Sequence, residues 1–253
     1  MWAGARRRLL TTFSWALWLP IVHRTADRRT VSLTFDDGPS RETTPGLLER
    51  LGAYDVRATF FLCGARVASN PALVAAIVAA GHDVYAHGYS HLRLDTLSDA
   101  DAIDEMEATE ALLCRHRPTP SPYLVRLPYG SGHGSARIHR LLRRWRPDCQ
   151  IAHWGYDFKD FRLSERCTST GQLEERCETA VAQAAACRSF GGSVLLLHDD
   201  PIGAEGRFVP LIATTLLDRL MAALARDGMG VTSMRPLARH SLAARCVRTV
   251  AVQ

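Results

Sequence analysis

The chain has 253 residues, of which 47% are hydrophobic and 23% are charged. This is the composition of an ordinary globular protein, and it excludes collagen-like, coiled-coil and intrinsically disordered chains. The formal net charge of +5 would suit nucleic-acid binding, but the first 30 residues hold six arginines and only one acidic residue. Residues 31–253 carry 25 basic and 25 acidic side chains, so the sequence predicts no nucleic-acid partner.

The first 22 residues resemble a targeting segment. Three arginines at positions 6–8 precede fourteen uncharged, mostly apolar residues, Leu9 to Val22, as in a secretory signal. This apolar run is shorter than the roughly 20 residues that a transmembrane helix needs, and its tryptophans would also suit an interfacial anchor. A segment packed on the following domain is the third alternative. The sequence leaves export, membrane association and a cytoplasmic location open.

The seven cysteines form no C-x-x-C pair, so they predict neither a zinc ribbon nor a thioredoxin-type site. Cys177 and Cys187 lie ten residues apart on one predicted helix, about 15 Å along its axis and too far for a disulfide. A bond between Cys167 and Cys177 remains geometrically possible. We expect scattered thiols that are reduced or buried.

Predicted strands and helices alternate from residue 30 onward. Short β-branched or aromatic runs predict strands near residues 30–35, 57–62, 82–86, 122–126, 149–154, 193–197 and 229–232. Periodic apolar positions predict helices over residues 99–114, 172–187 and 209–225. We therefore expect one domain over residues 30–240, between an N-terminal tail (1–29) and a C-terminal extension (241–253). Its mostly parallel sheet would be either closed as a barrel or doubly wound.

Ionisable residues follow the carboxyl ends of five predicted strands. The five groups are Asp36 with Asp37, His87 with His91, Arg126, Asp157 with Asp160, and His198. In a parallel barrel these strand ends surround one mouth, where such folds place their chemistry. A doubly wound sheet would spread the same residues along an edge. The pattern therefore favours a barrel-like closure.

The residue types in these groups suit one kind of reaction. Two histidines four residues apart and an aspartate, His87, His91 and Asp37, can hold a metal ion that keeps positions open for water. The neighbouring carboxylate of Asp36 could accept a proton from that water, and His198 could donate one. The set predicts metal-assisted hydrolysis of an amide or an ester.

Five segments also match, in order, the motifs of one enzyme family. They are TFDDGP (34–39), HGYSH (87–91), RLPYG (126–130), WGYDFKDF (154–161) and LLLHD (195–199). The chain resembles the NodB-type polysaccharide deacetylases, carbohydrate esterase family 4, over roughly residues 31–236. The resemblance implies an α/β fold, a distorted, incomplete (β/α) barrel with about seven parallel strands.

The resemblance also implies site roles. The metal ligands would be Asp37, His87 and His91, and the ion would be divalent, with zinc expected first and cobalt or another transition metal as alternatives. Asp36 would be the general base and His198 the general acid. The remaining implied site residues are Arg126, which would hold Asp36; Asp160, which would orient His198; and the substrate-binding Tyr129, Phe161 and Leu196.

Two motif positions depart from the family pattern. Gly88 stands where the family usually has Ser or Thr, and Phe161 stands where it usually has Trp. The first change removes a hydroxyl near the metal ligands, and the second removes an indole N–H donor. The loops over residues 162–171 and 199–208 would flank the mouth of the site.

The function expected from the resemblance is metal-dependent removal of N-acetyl groups from a GlcNAc-containing oligo- or polysaccharide of the chitooligosaccharide or peptidoglycan type. Acetate would be released. The alternatives are an O-acetyl esterase acting on a xylan-type polymer and a non-catalytic carbohydrate-binding pseudoenzyme. We expect a monomer whose partner is an N-acetylated carbohydrate, with any membrane contact made through the N-terminal tail.

Overall fold

The computed structural model describes residues 18–239, with the backbone alone for Arg239. The strands in this range are β1 (Ile21–Val22), β2 (Thr30–Asp36), β3 (Thr59–Leu62), β4 (Asp83–Ala86), β5 (Leu124–Val125), β6 (Gln150–Ala152), β7 (Tyr156–Asp157), β8 (Val194–His198) and β9 (Gly230–Thr232). The helices are α1 (Thr44–Ala53), α2 (Gly64–Ser69), α3 (Pro71–Ala79), α4 (Asp99–Leu113), α5 (Ala136–Trp145), α6 (Thr170–Ala186), α7 (Ile212–Arg226) and α8 (Arg235–Arg239). Single 3₁₀ turns lie at Leu94–Thr96, Pro128–Gly130, Asp160–Arg162 and Val209–Leu211.

The strands form two parallel groups. The larger sheet has the order β4-β3-β2-β8-β7, with β9 paired to the first half of β2, and the smaller sheet has the order β1-β6-β5. Every ladder between these strands is parallel. Parallel strands joined by helices wind in one direction around a common core. This confirms the expected distorted, incomplete barrel.

All seven predicted strands are present among the described residues, with ends displaced by at most two residues. The three predicted helices correspond to α4, α6 and α7. Strands β1 and β7 were not predicted, because β1 lies in the apolar run that resembled a targeting segment and β7 lies in a stretch without β-branched residues. They belong to the sheets only through their pairing with β6 and β8.

Residues 18–29, which the sequence analysis assigned to the tail, pack on the barrel. Leu19 and Val22 are buried, and the Leu19 N–H donates to Nδ1 of His139 on α5 at 2.9 Å. The ring of Trp18 lies 4.2 Å from the ring of His139. The packing of the domain therefore includes residues before position 30. The predicted roles of residues 1–17 and 241–253 lie outside the described residues.

Strand β2 is buried on both faces. Val31, Leu33 and Phe35 belong to the apolar core, whereas the alternate residues Thr34 and Asp36 are also buried but polar. Successive side chains of a strand point to opposite faces. One face of β2 therefore packs against apolar side chains, and the other carries polar groups into the interior of the barrel.

The described residues contain no helix that is both long and apolar enough to cross a membrane. Six of the seven cysteines lie in the described range, and all six are free thiols. The possible bond between Cys167 and Cys177 is therefore not formed. Cys187 lies just beyond the last residue of α6, where it is exposed.

Candidate active site

Strand ends bring the candidate residues to one end of the barrel. Asp36 is the last residue of β2, and it pairs in register with His198, the last residue of β8. His87 follows β4 directly, and Arg126 follows β5 directly. Asp160 begins a 3₁₀ turn beyond β7. This arrangement agrees with the rule that parallel barrels carry their functional groups at the carboxyl ends of their strands.

Asp37, His87 and His91 form a compact, buried cluster. One ligand atom from each lies within 4.8 Å of the others. Asp37 Oδ1 is 3.3 Å from Nε2 of His91 and 3.6 Å from Nε2 of His87. Asp37 and His91 have φ angles of 75° and 55°, which are uncommon for residues other than glycine. This backbone turns all three side chains toward one point.

The hydrogen bonds of this cluster fix the tautomer of His87 and leave one oxygen of Asp37 without a partner. His87 Nδ1 donates to the carbonyl oxygen of Arg126 at 2.9 Å, so its Nε2 carries a lone pair. Burial lowers the pKa of His87 to about 3 and also lowers the pKa of His91, so both rings are neutral at pH 7. Asp37 Oδ1 is buried and has no hydrogen-bond partner among the described residues.

Electron pairs that face one another without a donor are costly to bury unless a cation lies between them. Neutral imidazole nitrogens and a carboxylate oxygen are ligands of divalent transition metals. The cluster therefore fits such an ion, and these three residues could hold it. The other oxygen of Asp37, Oδ2, accepts the backbone N–H of Ile202 at 2.8 Å, which fixes the orientation of the carboxylate.

Asp36 lies beside the cluster and is paired with a buried arginine. Arg126 Nη1 is 3.2 Å from both carboxylate oxygens of Asp36, and its Nη2 donates to the hydroxyl oxygen of Thr34 at 3.2 Å. The guanidinium also lies 4.4 Å from the centre of the Phe61 ring. Burial raises the pKa of Asp36, and the positive charge of Arg126 opposes that effect.

His198 and Asp160 form the second polar pair of the site. His198 Nδ1 is 2.6 Å from Asp160 Oδ1, and the His198 backbone N–H donates to Asp160 Oδ2 at 2.7 Å. Burial alone would lower the pKa of His198, but the charge and hydrogen bond of Asp160, together with the charges of Asp37 and Asp36, outweigh it and raise the pKa to about 10. The imidazole is therefore protonated at pH 7, with Nε2–H as its second donor.

Exposed aromatic rings lie on both sides of these polar groups. Tyr129 is 56% exposed, its φ is 59°, and its ring centre lies 4.5 Å from that of His91. Phe161 is 40% exposed and meets the His198 ring edge-on at 5.9 Å. Leu196 is buried in β8 two residues before His198, so it lies on the same face of the sheet. The structure thus brings together all ten predicted site residues.

Asp157, which also follows a predicted strand, has a local role instead. Its Oδ1 accepts the N–H of Lys159, whose φ is 49°, and its Oδ2 lies 3.5 Å from the Lys159 ammonium. This pattern stabilises the turn between β7 and the 3₁₀ turn that carries Asp160. The position of a carboxylate directly after a strand therefore does not by itself indicate a catalytic or metal-binding role.

Asp199, for which no role was predicted, supports the site from behind. It is buried, and its two oxygens accept the hydroxyls of Thr43 and Thr44. Burial raises the pKa of Asp199 to about 6 despite these bonds. Its backbone N–H donates to the Asp36 carbonyl at 3.0 Å. The sequence signal for this support was the position of Asp199 at the end of the LLLHD motif (195–199).

The loop over residues 199–208 is tied to the same region by Arg66 of α2. Arg66 Nη1 donates to the carbonyl oxygen of Asp200 at 2.6 Å and lies 3.2 Å from its carboxylate. It also lies 3.4 Å from the carbonyl oxygen of Asp37. Together with the Ile202 N–H, these contacts join the loop to the turn that carries the Asp37 ligand. Arg66 was not predicted, because no pattern distinguishes it from other helical arginines.

The fold and site together define an α/β barrel protein with a candidate divalent-metal centre at the carboxyl ends of its strands. The profile of the family described as polysaccharide deacetylase matches residues 23–145. A chitooligosaccharide deacetylase of Bradyrhizobium sp. is 33% identical over 178 residues, which are 70% of this chain and 74% of that protein. The chain belongs to the polysaccharide deacetylase family.

Two further relatives share the named activity of peptidoglycan-N-acetylglucosamine deacetylase. The Bacillus cereus protein is 32% identical over 175 residues, which are 68% of this chain and 57% of the relative. The crystal structure of Bc1960, in complex with a naphthalenyl N-hydroxybenzamide, has a TM-score of 0.69 at 27% identity. That match covers 88% of this chain and 95% of the other. The chain spans little more than half the length of the Bacillus cereus relative.

Proposed function

We propose that this chain is a divalent-metal-dependent hydrolase that removes N-acetyl groups from a GlcNAc-containing oligo- or polysaccharide and releases acetate. The substrate would be of the chitooligosaccharide or peptidoglycan type, and zinc would be the usual ion. One observation carries the proposal: a buried cluster of two neutral histidines and an aspartate oxygen without a hydrogen-bond partner lies next to a carboxylate, Asp36, and a protonated imidazole, His198. Hydrolysis of an amide needs a proton acceptor and a proton donor at such a centre.

When bound, a divalent cation at Asp37, His87 and His91 supplies Lewis-acid polarisation of the acetamide carbonyl and lowers the pKa of a water molecule beside it. Asp36 accepts the proton of the attacking water, and Arg126 holds both oxygens of its carboxylate. The water oxygen forms a bond to the carbonyl carbon, and negative charge develops on the carbonyl oxygen. The backbone N–H of Tyr129 stabilises that charge.

His198 completes the reaction at the leaving group. Its Nε2–H donates a proton to the amide nitrogen as the carbon–nitrogen bond breaks, and acetate and a free amine are formed. Asp160 holds the ring by its Nδ1 and stabilises the imidazolium before this transfer. Leu196 contacts the acetyl methyl group, and the rings of Tyr129 and Phe161 position the sugar.

An acetate-release assay with a matched variant tests this proposal. The protein, loaded with Zn²⁺ or Co²⁺, is incubated with N-acetyl chitooligosaccharides, peptidoglycan and acetylxylan. We expect acetate from the N-acetylated substrates, and we expect Asp36→Asn to lower kcat by about 10²- to 10⁴-fold while the variant still binds the metal. The control is Asp55→Asn, an exposed aspartate just before β3 at the other end of the barrel.

Three results would contradict the proposal. Acetate from acetylxylan alone would indicate an O-acetyl esterase. Binding of chitooligosaccharide without acetate release, in metal-loaded protein, would indicate a pseudoenzyme. Normal acetate release by Asp36→Asn would exclude Asp36 as the base. If loss of the Asp36–Arg126 pair unfolds this variant, His198→Gln tests the same chemistry, because His198 is paired with Asp160 and not with Arg126.

A further inference from the structure

We infer that Glu105 of α4 is a positioning residue of the proposed metal centre: it fixes the loop between the two histidine ligands and thereby sets the affinity for the metal ion. The inference rests on the metal centre of the proposed function. Glu105 Oε2 accepts the backbone N–H of Tyr89 at 2.8 Å and that of Ser90 at 2.7 Å. These two residues lie between His87 and His91, and among the described residues Glu105 forms no hydrogen bond with either ligand.

The same loop is held from its other side by the first residues of α2. The N–H groups of Gly64 and Ala65 donate to the carbonyl oxygens of Gly88 and Tyr89, both at 3.0 Å. The carbonyl groups of the loop between His87 and His91 are thus bonded by α2, and its N–H groups are bonded by α4. Only the carboxylate of Glu105 is supplied by a side chain, so it is the part of this arrangement that a substitution can remove.

The backbone of the loop explains why it needs such support. Gly88 and His91 have φ angles of 76° and 55°, and a residue other than glycine adopts this conformation only when its surroundings favour it. Without the Glu105 carboxylate, the loop would sample other conformations, and His91 would have to be ordered when the metal binds. Ordering a ligand at that moment weakens the affinity.

Glu105 also accounts for the departure at position 88. A Cβ atom on Gly88 would lie 3.3 Å from Glu105 Oε2, on a backbone that side chains rarely adopt. A side chain here would therefore strain the backbone and displace Glu105 by a few tenths of an ångström, and in this chain a carboxylate from α4 bonds the loop where the family has a hydroxyl. Charge-assisted bonds to backbone N–H groups are stronger than those of a neutral hydroxyl. In this chain the support comes from another element instead of from the motif itself.

Metal affinity, measured without substrate, tests the inference. Isothermal titration of the metal-free protein with Co²⁺ and Zn²⁺ compares the wild type with Glu105→Ala, Glu105→Gln and the control Glu107→Gln. Glu107 is an exposed acid on the same helix. We expect Kd to rise about tenfold or more for Glu105→Ala, the range seen when groups that orient metal ligands are removed. The Kd of Glu105→Gln should lie between those of the wild type and Glu105→Ala, because its amide oxygen can accept both N–H groups but carries no charge.

A Kd within twofold of the wild type for both Glu105 variants would overturn the inference. So would a kcat that stays tenfold low at saturating Co²⁺, because a residue that acts only through metal affinity is rescued by excess metal. If Glu105→Ala does not fold, Glu105→Gln carries the test. The titration needs no turnover, so failure of the wild type to release acetate would refute the proposed function and leave this result standing.

Discussion

The aspartates around the candidate site differ in what their carboxylates meet. Asp36 faces the guanidinium of Arg126, Asp160 faces the imidazole of His198, and Asp199 faces two threonine hydroxyls. Asp37 alone has one oxygen without a hydrogen-bond donor among the described residues. The same side chain can therefore accept a proton, stabilise a cation, support a turn or bind a metal, and its neighbours decide which.

The pair formed by Asp160 and His198 gives a prediction about proton donation. Asp160→Asn removes the charge that raises the pKa of His198 to about 10, and the burial that lowers the pKa remains. The charges of Asp37 and Asp36 also remain, so we expect the ring of the variant to titrate well below 10, and kcat at pH 7 to fall by about 10²-fold because the ring is held and charged less firmly. NMR titration of His198 in the metal-free proteins measures this directly. An unchanged titration near pH 10 would contradict it.

The stability of the fold should respond with a defined sign. Because the folded pKa of His198 is raised, the pair stabilises the wild type below pH 6.5, and this contribution is lost as the pH rises through about 10. Asp160→Asn lacks the stabilisation that the Asp160–His198 pair provides at every pH. Denaturant unfolding of both proteins at pH 6 and pH 10 should therefore show a difference that shrinks at the higher pH.

Gly38 is required by close packing next to the ligand Asp37. A Cβ at this position would overlap the Oδ2 atom of Asp199 and lie 3.1 Å from its Cβ, and Asp199 is held by two threonines. We expect Gly38→Ala to lower the free energy of unfolding by about 1–3 kcal/mol, as overpacking does. In the control Gly52→Ala, on α1, the Cβ meets nothing within 4 Å. This control should be neutral or slightly stabilising.

At the scale of the elements, α4 shows how a helix carries acidic residues on its buried side. Glu110 interrupts the apolar positions of this helix and is buried. Both of its oxygens accept from Arg117 at 2.8 Å, and the hydroxyl of Tyr123 donates to it at 2.6 Å. Burial raises the pKa of Glu110, but these bonds outweigh that effect and lower it. A buried acid is thus fully satisfied where α4 meets the start of β5.

Removing one member of this buried pair should be costly. Glu110→Ala leaves the Arg117 guanidinium without its counter-ion, and we expect a loss of about 3–5 kcal/mol in the free energy of unfolding. The control is Glu174→Ala, which breaks an exposed pair with Arg219 and should cost about 1 kcal/mol or less. Equal losses in denaturant unfolding would show that the Glu110 network contributes nothing beyond a surface ion pair.

At the scale of the whole molecule, buried neutral histidines make stability depend on pH. Burial lowers the pKa of His82 to about 4 and the pKa values of His87 and His153 to about 3. Below pH 6.5 the unfolded chain binds protons that the folded chain does not, so stability falls as the pH falls toward these values. Asp199 acts oppositely, since its contribution is lost as the pH rises through about 6.

We expect the free energy of unfolding of the metal-free protein to fall by about 2 kcal/mol or more between pH 7 and pH 5. Five buried or half-buried histidines with lowered pKa values favour this loss, and the three groups with raised pKa values, His198, Asp36 and Asp199, oppose it. His82→Gln should reduce the slope of the free energy of unfolding against pH by the equivalent of about one bound proton. Denaturant unfolding across this pH range measures both. A stability that rises toward pH 5 in the wild type would contradict the burial of these rings in neutral form.

The sequence predicted regular elements well wherever they were long enough to show a period. The seven predicted strands and three predicted helices are present because hydrophobic periodicity reflects which side of an element is buried. Strands β1 and β7 were missed, because their positions depend on partners far away in the chain. The predicted boundary at residue 30 left out Leu19 and Val22, because their burial also depends on residues far away in the chain.

The sequence by itself determined the family motifs and the residue types of the site, because chemistry constrains those types at the ends of strands. Only the tertiary structure decided that one oxygen of Asp37 has no hydrogen-bond donor and that Asp160 raises the pKa of His198. It also decided which acid of α4 bonds the loop between His87 and His91. These properties depend on distances between residues that are far apart in the chain. A sequence pattern does not contain these distances, whereas burial and electrostatic interactions depend on them.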